Sequence, residues 1–315
     1  MVSPKEIKET SVIGAGVMGT GLAITMALKG IRVFLNDLTE DLLKVSRKHT
    51  SDLLTDLEER GTIVNAAKIQ ENIVFEKDLK RAVENSDIIF EAITEDPSAK
   101  RDLFAKLADM AKEDSIHASN TSVIKISEIA SGLNSKDRII GVHWMNPPYV
   151  APLVEVTTSE WTDKEVLKTT RDFLEKVAGK KVVLSPDIPG FIVNRFHAAV
   201  TSEAIRLIDE GVSIEDVDDV WKYHLGILYG LFGPLKNADY IGLDTTYLAG
   251  MYLTQRLGRE MGYVPEWLVK KIGNNELGVK TRKGFYDYGD ESPSSLYAKR
   301  VQAIKEELKC KQDQK

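Results

Sequence analysis

The first half of the chain alternates two apolar patterns. Short continuous runs stand between stretches in which apolar residues return every three or four positions. The runs predict buried strands and the periodic stretches predict helices. Strands are expected at 11–13, 31–36, 73–75, 87–92, 115–118, 138–143 and 181–184, with another apolar run at 151–154. Helices are expected at 18–29, 41–60, 99–110 and 126–130, with a weaker one after Asn65. Gly30 and Gly61 stand where the first two should stop. Residues 40–82 read as a mostly helical excursion from the sheet. Strands separated by helices predict a doubly wound, mostly parallel α/β sheet.

After Pro189-Gly190 the pattern turns helical, with helices expected at 191–210, 214–223, 235–255, 265–274 and 296–309. This divides the chain into an α/β domain, 1–187, and an all-helical C-terminal domain, 188–315.

The first strand runs into Gly14-Ala15-Gly16-Val17-Met18-Gly19, a G-x-G-x-x-G turn that opens an apolar helix. Gly14 permits the tight turn, Gly16 lets the backbone approach a pyrophosphate, and Gly19 lets helix and sheet pack closely. The helix N-terminus offers unpaired N–H groups to phosphates. Asp37 ends the second apolar run, where a carboxylate accepts both ribose hydroxyls and repels a 2′-phosphate. Strand, turn, helix and acid together predict a Rossmann-type site for NAD rather than NADP.

His143 closes the strand expected at 138–143, and Glu155 closes the next apolar run. Asn146-Pro147-Pro148 turns the chain between them. A carboxylate beside an imidazole fixes its tautomer and raises its basicity, so the pair suits proton removal from a substrate hydroxyl. Taken alone, His143 also reads as a buried structural histidine. Ser122, in Asn120-Thr121-Ser122, follows a strand at the edge where ligands bind; it reads as a donor to a substrate oxygen or as a turn cap. Asn194, among Ile192, Val193 and Phe196, either braces a domain interface or points into the cleft. Trp144 and Met145 are read as candidate walls of the substrate pocket.

Composition changes this picture little. The 315 residues are 43% hydrophobic and 29% charged, with a net charge of −6. The charges are interspersed, without a basic stripe for nucleic acid. Cys310 is the only cysteine, which rules out an internal disulfide. No secretory leader, long apolar span or metal-ligand spacing stands out, so a cytoplasmic enzyme without a metal or membrane partner is expected.

These residues resemble the short-chain L-3-hydroxyacyl-CoA dehydrogenase family, including 3-hydroxybutyryl-CoA dehydrogenases. The resemblance runs from Ser11 to Tyr288. It rests on the glycine turn, Ala118-Ser119-Asn120-Thr121-Ser122, Gly141-Val142-His143, Asn146-Pro147 and Leu153-Val154-Glu155-Val156. Further on it rests on Pro189-Gly190-Phe191-Ile192-Val193-Asn194-Arg195, Gly233-Pro234, residues 238–244 and Gly284-Phe285-Tyr286. It implies His143 as base with Glu155 as its partner, and Ser122 and Asn194 on the reacting oxygen. It implies Val17, Met18, Asn120, Glu95 and Lys100 around the cofactor, with Glu95 near the nicotinamide ribose. It also implies fatty-acid metabolism, and a homodimer whose interface the helical C-terminal domain supplies while closing over the substrate.

Two features depart from the acyl-CoA pattern. Pro147-Pro148-Tyr149 looks more like the lambda-crystallin, or L-gulonate 3-dehydrogenase, branch, and residues 226–233 lack the usual small-residue form. A free 3-hydroxy acid or polar alcohol, such as L-gulonate or carnitine, is the alternative substrate class. A non-catalytic NAD-binding protein is the alternative outside enzymes. Lys44, Arg47, Lys48 and Arg60 lie in the excursion where the CoA enzymes hold the nucleotide tail, among Asp52, Asp56, Glu58 and Glu59.

Overall fold

The computed structural model describes residues 7–313, with side chains as far as 310. Eight strands form one sheet in the order β3-β2-β1-β4-β5-β6-β7-β8. They are β1 (Glu9–Ile13), β2 (Arg32–Asn36), β3 (Ile73–Glu76), β4 (Ile88–Glu91), β5 (Ile116–Ser119), β6 (Ile139–Trp144), β7 (Leu153–Thr157) and β8 (Lys181–Ser185). Every pairing is parallel except β6 with β7. The intervening helices are α1 (Val17–Leu28), α2 (Glu40–Glu59), α3 (Ala66–Glu71), α4 (Leu79–Val83), α5 (Pro97–Met110), α6 (Ile126–Ala130) and α7 (Lys164–Lys176).

Alternation along the strands feeds two cores, one on each face of the sheet. Val12, Ile88 and Ile140 join α1 residues such as Leu22 and Met26. Ile13, Ile89 and Ile139 join Leu107 of α5 and Ile126 of α6. Covering both faces is what allows a nearly all-parallel sheet.

The structure adds one helix to those expected and divides another. Helix α7 went unpredicted because its buried stripe mixes Val166, Phe173 and Leu174 with Thr169 and Thr170. Its crossover makes β8 parallel to β7. The single helix expected at 235–255 is two, α10 (Gly226–Ile241) and α11 (Leu243–Leu257). Gly242, at φ 107, cannot continue α10, and α10 is itself broken at Gly233, φ 70.

The other C-terminal helices are α8 (Val193–Asp209), α9 (Ile214–Val220), α12 (Glu266–Gly273) and α13 (Pro293–Asp313). A π-turn, Trp221–Leu225, follows α9. The chain forms two compact units, 1–200 and 201–315. In the second, the buried carboxylate of Asp239 accepts from Phe285 N, Tyr286 N and the Tyr288 hydroxyl, each at 2.9 Å. That contact explains why two separated sequence segments, around 239 and 285, belong together.

His117 of β5 is fully buried, stacked on Phe104 and 3.0 Å from the Ser115 hydroxyl. Burial, with a smaller contribution from Arg138, pushes its imidazolium down to about 3. An unfolded histidine titrates near ~6.5. Between those values the unfolded chain binds one more proton. His117 therefore contributes stability that is complete above the unfolded value and lost as pH falls. The expected slope approaches about 1.4 kcal/mol per pH unit. Urea unfolding between neutral pH and the onset of carboxylate titration checks this, since His117→Leu should show a shallower decline. Equal slopes in both proteins would refute it.

Candidate active site

The carboxyl edge of the parallel strands places the site. Ile13, Glu91, Ser119 and Gly141 form one row across β1, β4, β5 and β6. His143 lies two residues beyond that row, still within β6 rather than after it.

The glycine turn follows β1. Gly14 has φ 105, and a Cβ there would meet the Ala92 carbonyl oxygen at 2.5 Å. A Cβ on Gly19 would sit 1.7 Å from the Gly14 carbonyl oxygen. A Cβ on Gly16 would project into open space, with nothing within 4 Å. The turn is thus packed against protein at two glycines and open at the third. The open side is a cradle into which a pyrophosphate fits, beside Val17 and Met18 at the N-terminus of α1.

Asp37 follows β2 and is half-buried. Its oxygens accept from Ala15 N and Leu38 N, each at 2.6 Å. A carboxylate has about four acceptor positions, so capacity for ribose hydroxyls remains.

His143 and Glu155 stand directly opposite in the antiparallel β6–β7 register. That register brings His143 Nδ1 within 2.8 Å of Glu155 Oε2, with the residues 8% and 1% exposed. The other oxygen of Glu155 accepts from Ile192 N at 2.9 Å and Val193 N at 3.0 Å. Burial alone would push the Glu155 carboxyl up. Hydrogen bonds from His143, Val193 and Ile192 outweigh it and hold the group below the ordinary carboxylate range. An ionised Glu155 has no proton to give, so Nδ1 is the donor. The Nε2 lone pair is left to act as a base.

Ser122 and Asn194 are also brought together. Asn194 Nδ2 donates to the Ser122 carbonyl oxygen at 2.7 Å. Asn194 therefore braces the Ser122 loop within the first unit, a contact that its sequence position did not single out. Asn120 ties β5 to β6 by accepting from Trp144 N at 2.9 Å.

Glu95 Oε1 accepts from the Thr121 hydroxyl at 2.6 Å, Ser122 N at 2.7 Å and Val123 N at 3.2 Å. Burial pushes Glu95 up, but Thr121, Lys100 and Ser122 hold it below its ordinary value. The resemblance implies a Lys100 side chain on the ligand side. The structure turns it inward, only 1% exposed, with Nζ 2.6 Å from Glu91 and 3.2 Å from Glu95. Lys100 is therefore an internal counter-ion of Glu91 and Glu95.

Sequence reading missed Glu91, which is wholly buried and also accepts from the Ser119 hydroxyl at 2.6 Å. Burial pushes its carboxyl up, and Lys100 and Ser119 limit the rise. An acid closing the run Ile88-Ile89-Phe90 was the available signal. Trp144 is a correction. Strand alternation sends it away from His143 into the core, edge-on to Phe90 at 6.0 Å, so it is no pocket wall. Among the described residues, no group of three or more His, Cys, Asp or Glu is arranged to hold a metal.

Comparison with known proteins agrees with this geometry. Residues 9–188 match the family model described as 3-hydroxyacyl-CoA dehydrogenase, NAD binding domain. Residues 190–288 match the model described as 3-hydroxyacyl-CoA dehydrogenase, C-terminal domain. A crystal structure of a 3-hydroxyacyl-CoA dehydrogenase from Archaeoglobus fulgidus is 42% identical, covering 96% of this chain and 98% of that one, with a TM-score of 0.78. A 3-hydroxybutyryl-CoA dehydrogenase of Bradyrhizobium diazoefficiens is 36% identical over 91% of this chain and 97% of its own. A 5-formyl-3-hydroxy-2-methylpyridine 4-carboxylate 5-dehydrogenase of Mesorhizobium japonicum is 29% identical, covering 95% and 96%.

Proposed function

This chain belongs to the 3-hydroxyacyl-CoA dehydrogenase family, a family of NAD-dependent oxidoreductases, and from that premise we propose its substrate and its catalytic residues. The reaction is the reversible oxidation of a short-chain (S)-3-hydroxyacyl-CoA, such as 3-hydroxybutyryl-CoA, to the 3-oxoacyl-CoA, NADH and a proton. The observation that carries it is the buried His143–Glu155 pair at the carboxyl edge of the sheet.

NAD, when bound, supplies the acceptor for the hydride leaving C3. His143 Nε2 takes the proton of the C3 hydroxyl, and the imidazolium that forms is stabilised by Glu155. Ser122 and Asn194 bind the reacting oxygen, with the Asn194 amide also holding the Ser122 loop in place. In the reverse direction His143 returns the proton. Gly14, Gly16, Gly19 and Asp37 hold the ADP half of the cofactor, while Glu95 and Asn120 order the loops beside the nicotinamide.

Lys44, Arg47 and Lys48 stand at i, i+3 and i+4 on one exposed face of α2. Lys44 and Lys48 pair with Asp41 and Asp52, and the Arg47 guanidinium lies 4.4 Å over the Phe75 ring. Such exposed pairs are worth at most about 1 kcal/mol and exchange readily for a phosphate. This face is the proposed landing site for the CoA nucleotide.

The full-length match to the pyridine-carboxylate dehydrogenase, whose named substrate is a free acid and not a thioester, supports a second reading in which the substrate of this chain is a free acid. Initial rates decide between them. NADH oxidation with acetoacetyl-CoA is compared with acetoacetate, and NAD reduction is measured with L-gulonate and carnitine. Turnover with the thioester alone is expected. Turnover with a free acid alone would overturn the CoA reading.

A homodimer is part of the proposal. The helical unit exposes Ile205, Ile208, Leu248, Met251 and Tyr252, a quantity of apolar surface suited to self-association. Mass measurement in solution tests it, with a monomer as the contrary result.

A further inference from the structure

We propose that Phe191 is a positioning residue for the His143–Glu155 pair, its strained backbone aiming two N–H groups at Glu155 while its ring packs against His143. The inference rests on the assignment of that pair as the proton-transfer centre.

Phe191 has φ 47, in the left-handed region that non-glycine residues seldom occupy. It is 1% exposed, packed on all sides. The surroundings hold it there. Gly190 N donates to Val123 O at 3.1 Å, and Phe191 N donates to Ile188 O at 3.2 Å. Asp187 fastens the same segment by accepting from Ile126 N at 2.6 Å and Ser127 N at 3.0 Å. Strain held this firmly beside a reactive group is commonly functional.

The consequence lies in the next two residues. A left-handed residue leading into a helix makes successive N–H groups converge into an anion-binding concavity. Here Ile192 N and Val193 N converge on Glu155 Oε1. Oε2 remains for His143 Nδ1. The carboxylate is held at both ends, so its plane and its distance from the imidazole are fixed. The two N–H groups also draw charge from the carboxylate, which moderates its pull on the Nδ1 proton. The Phe191 ring, itself buried, lies 6.1 Å from the His143 ring, tilted by 47°. Among the described residues Glu155 is the charged partner of His143. Arg195, on the first turn of α8, is exposed.

Loss of the turn frees Glu155 from its two donors. The carboxylate then holds the His143 proton more tightly, and the imidazolium becomes harder to deprotonate. The acid limb of the oxidation profile should move to higher pH.

Three variants test this, each measured for melting temperature, NAD affinity and the pH dependence of kcat in the oxidation direction. Phe191→Ile keeps apolar bulk, but a β-branched residue resists positive φ. Its acid limb should rise by about one pH unit and kcat should fall at least about tenfold, with NAD affinity within about twofold of wild type. Phe191→Gly adopts the turn without strain and should move the limb less than half as far. Phe191→Tyr keeps turn and ring and should recover most of the rate. A folded Phe191→Ile protein with the wild-type limb would overturn the proposal. So would a Phe191→Gly limb displaced by a full unit, which decides the matter even if the Ile protein does not fold. His143→Ala, run alongside, separates the two levels: if it keeps turnover, the premise about the pair has failed, whatever Phe191 does.

Discussion

Glu155→Gln should lower kcat by roughly 10³–10⁴ while leaving NAD binding intact. The size follows from hydrogen-bond bookkeeping at one buried side chain. Glu155 accepts from two backbone N–H groups at Oε1 and from His143 Nδ1 at Oε2. A glutamine has only one acceptor atom in its amide. With that oxygen on Ile192 N and Val193 N, its NH₂ faces His143. Nδ1 must then accept, and the ring proton moves to Nε2. The imidazole becomes the wrong tautomer and has no lone pair where the substrate hydroxyl would be. Turning the amide over restores the tautomer but sets two buried N–H groups against an NH₂, which costs about 1–3 kcal/mol for each unmet donor. Steady-state kinetics with a melting curve and NAD titration check the result. A kcat within threefold of wild type in a folded, NAD-binding variant would remove Glu155 from the mechanism.

Lys100→Met should be the most destabilising single change near the site, by about 3–5 kcal/mol. Lys100 is buried between Glu91, itself fully buried, and Glu95. Removing the ammonium leaves Glu91 with only Ser119 and Ile93 as donors. Burial already pushes the Glu91 carboxyl up, and losing Lys100 pushes it further. A carboxyl whose folded value is raised stabilises the fold below its unfolded value and ceases to do so as pH rises through the folded one. Lys100→Met should therefore lose stability between mildly acidic and neutral pH. Lys100→Met with Glu91→Leu should recover part of the loss, because the uncompensated buried acid is gone. Denaturant unfolding at several pH values measures all three. A single variant as stable as the double one would show that Glu91 does not need its counter-ion.

These contacts mark how far the sequence can be read. The glycine turn was legible because a tight turn, a close helix packing and an open cradle each demand glycine at a fixed spacing, as Gly14, Gly19 and Gly16 show. Asp37 was legible because it ends an apolar strand. His143 and Glu155 were legible because a proline-bearing turn separates two short apolar runs. The sheet was legible for the same reason, through continuous apolar runs that only doubly covered strands require. Helix α7 was not, since threonines in its buried stripe blurred the period.

Local sequence thus determined most of the elements, the dinucleotide turn and the candidate pair His143 and Glu155. What tertiary structure alone decided was which polar groups meet. The antiparallel register set His143 against Glu155. Strand alternation sent Trp144 into the core, and the long-range fold turned Lys100 inward to Glu91. The left-handed backbone of Phe191 brought two amides from a distant segment onto Glu155. The reason is physical. Periodicity and turn chemistry act over a few residues, whereas satisfying a buried charge depends on partners that only the packed chain brings within hydrogen-bond distance.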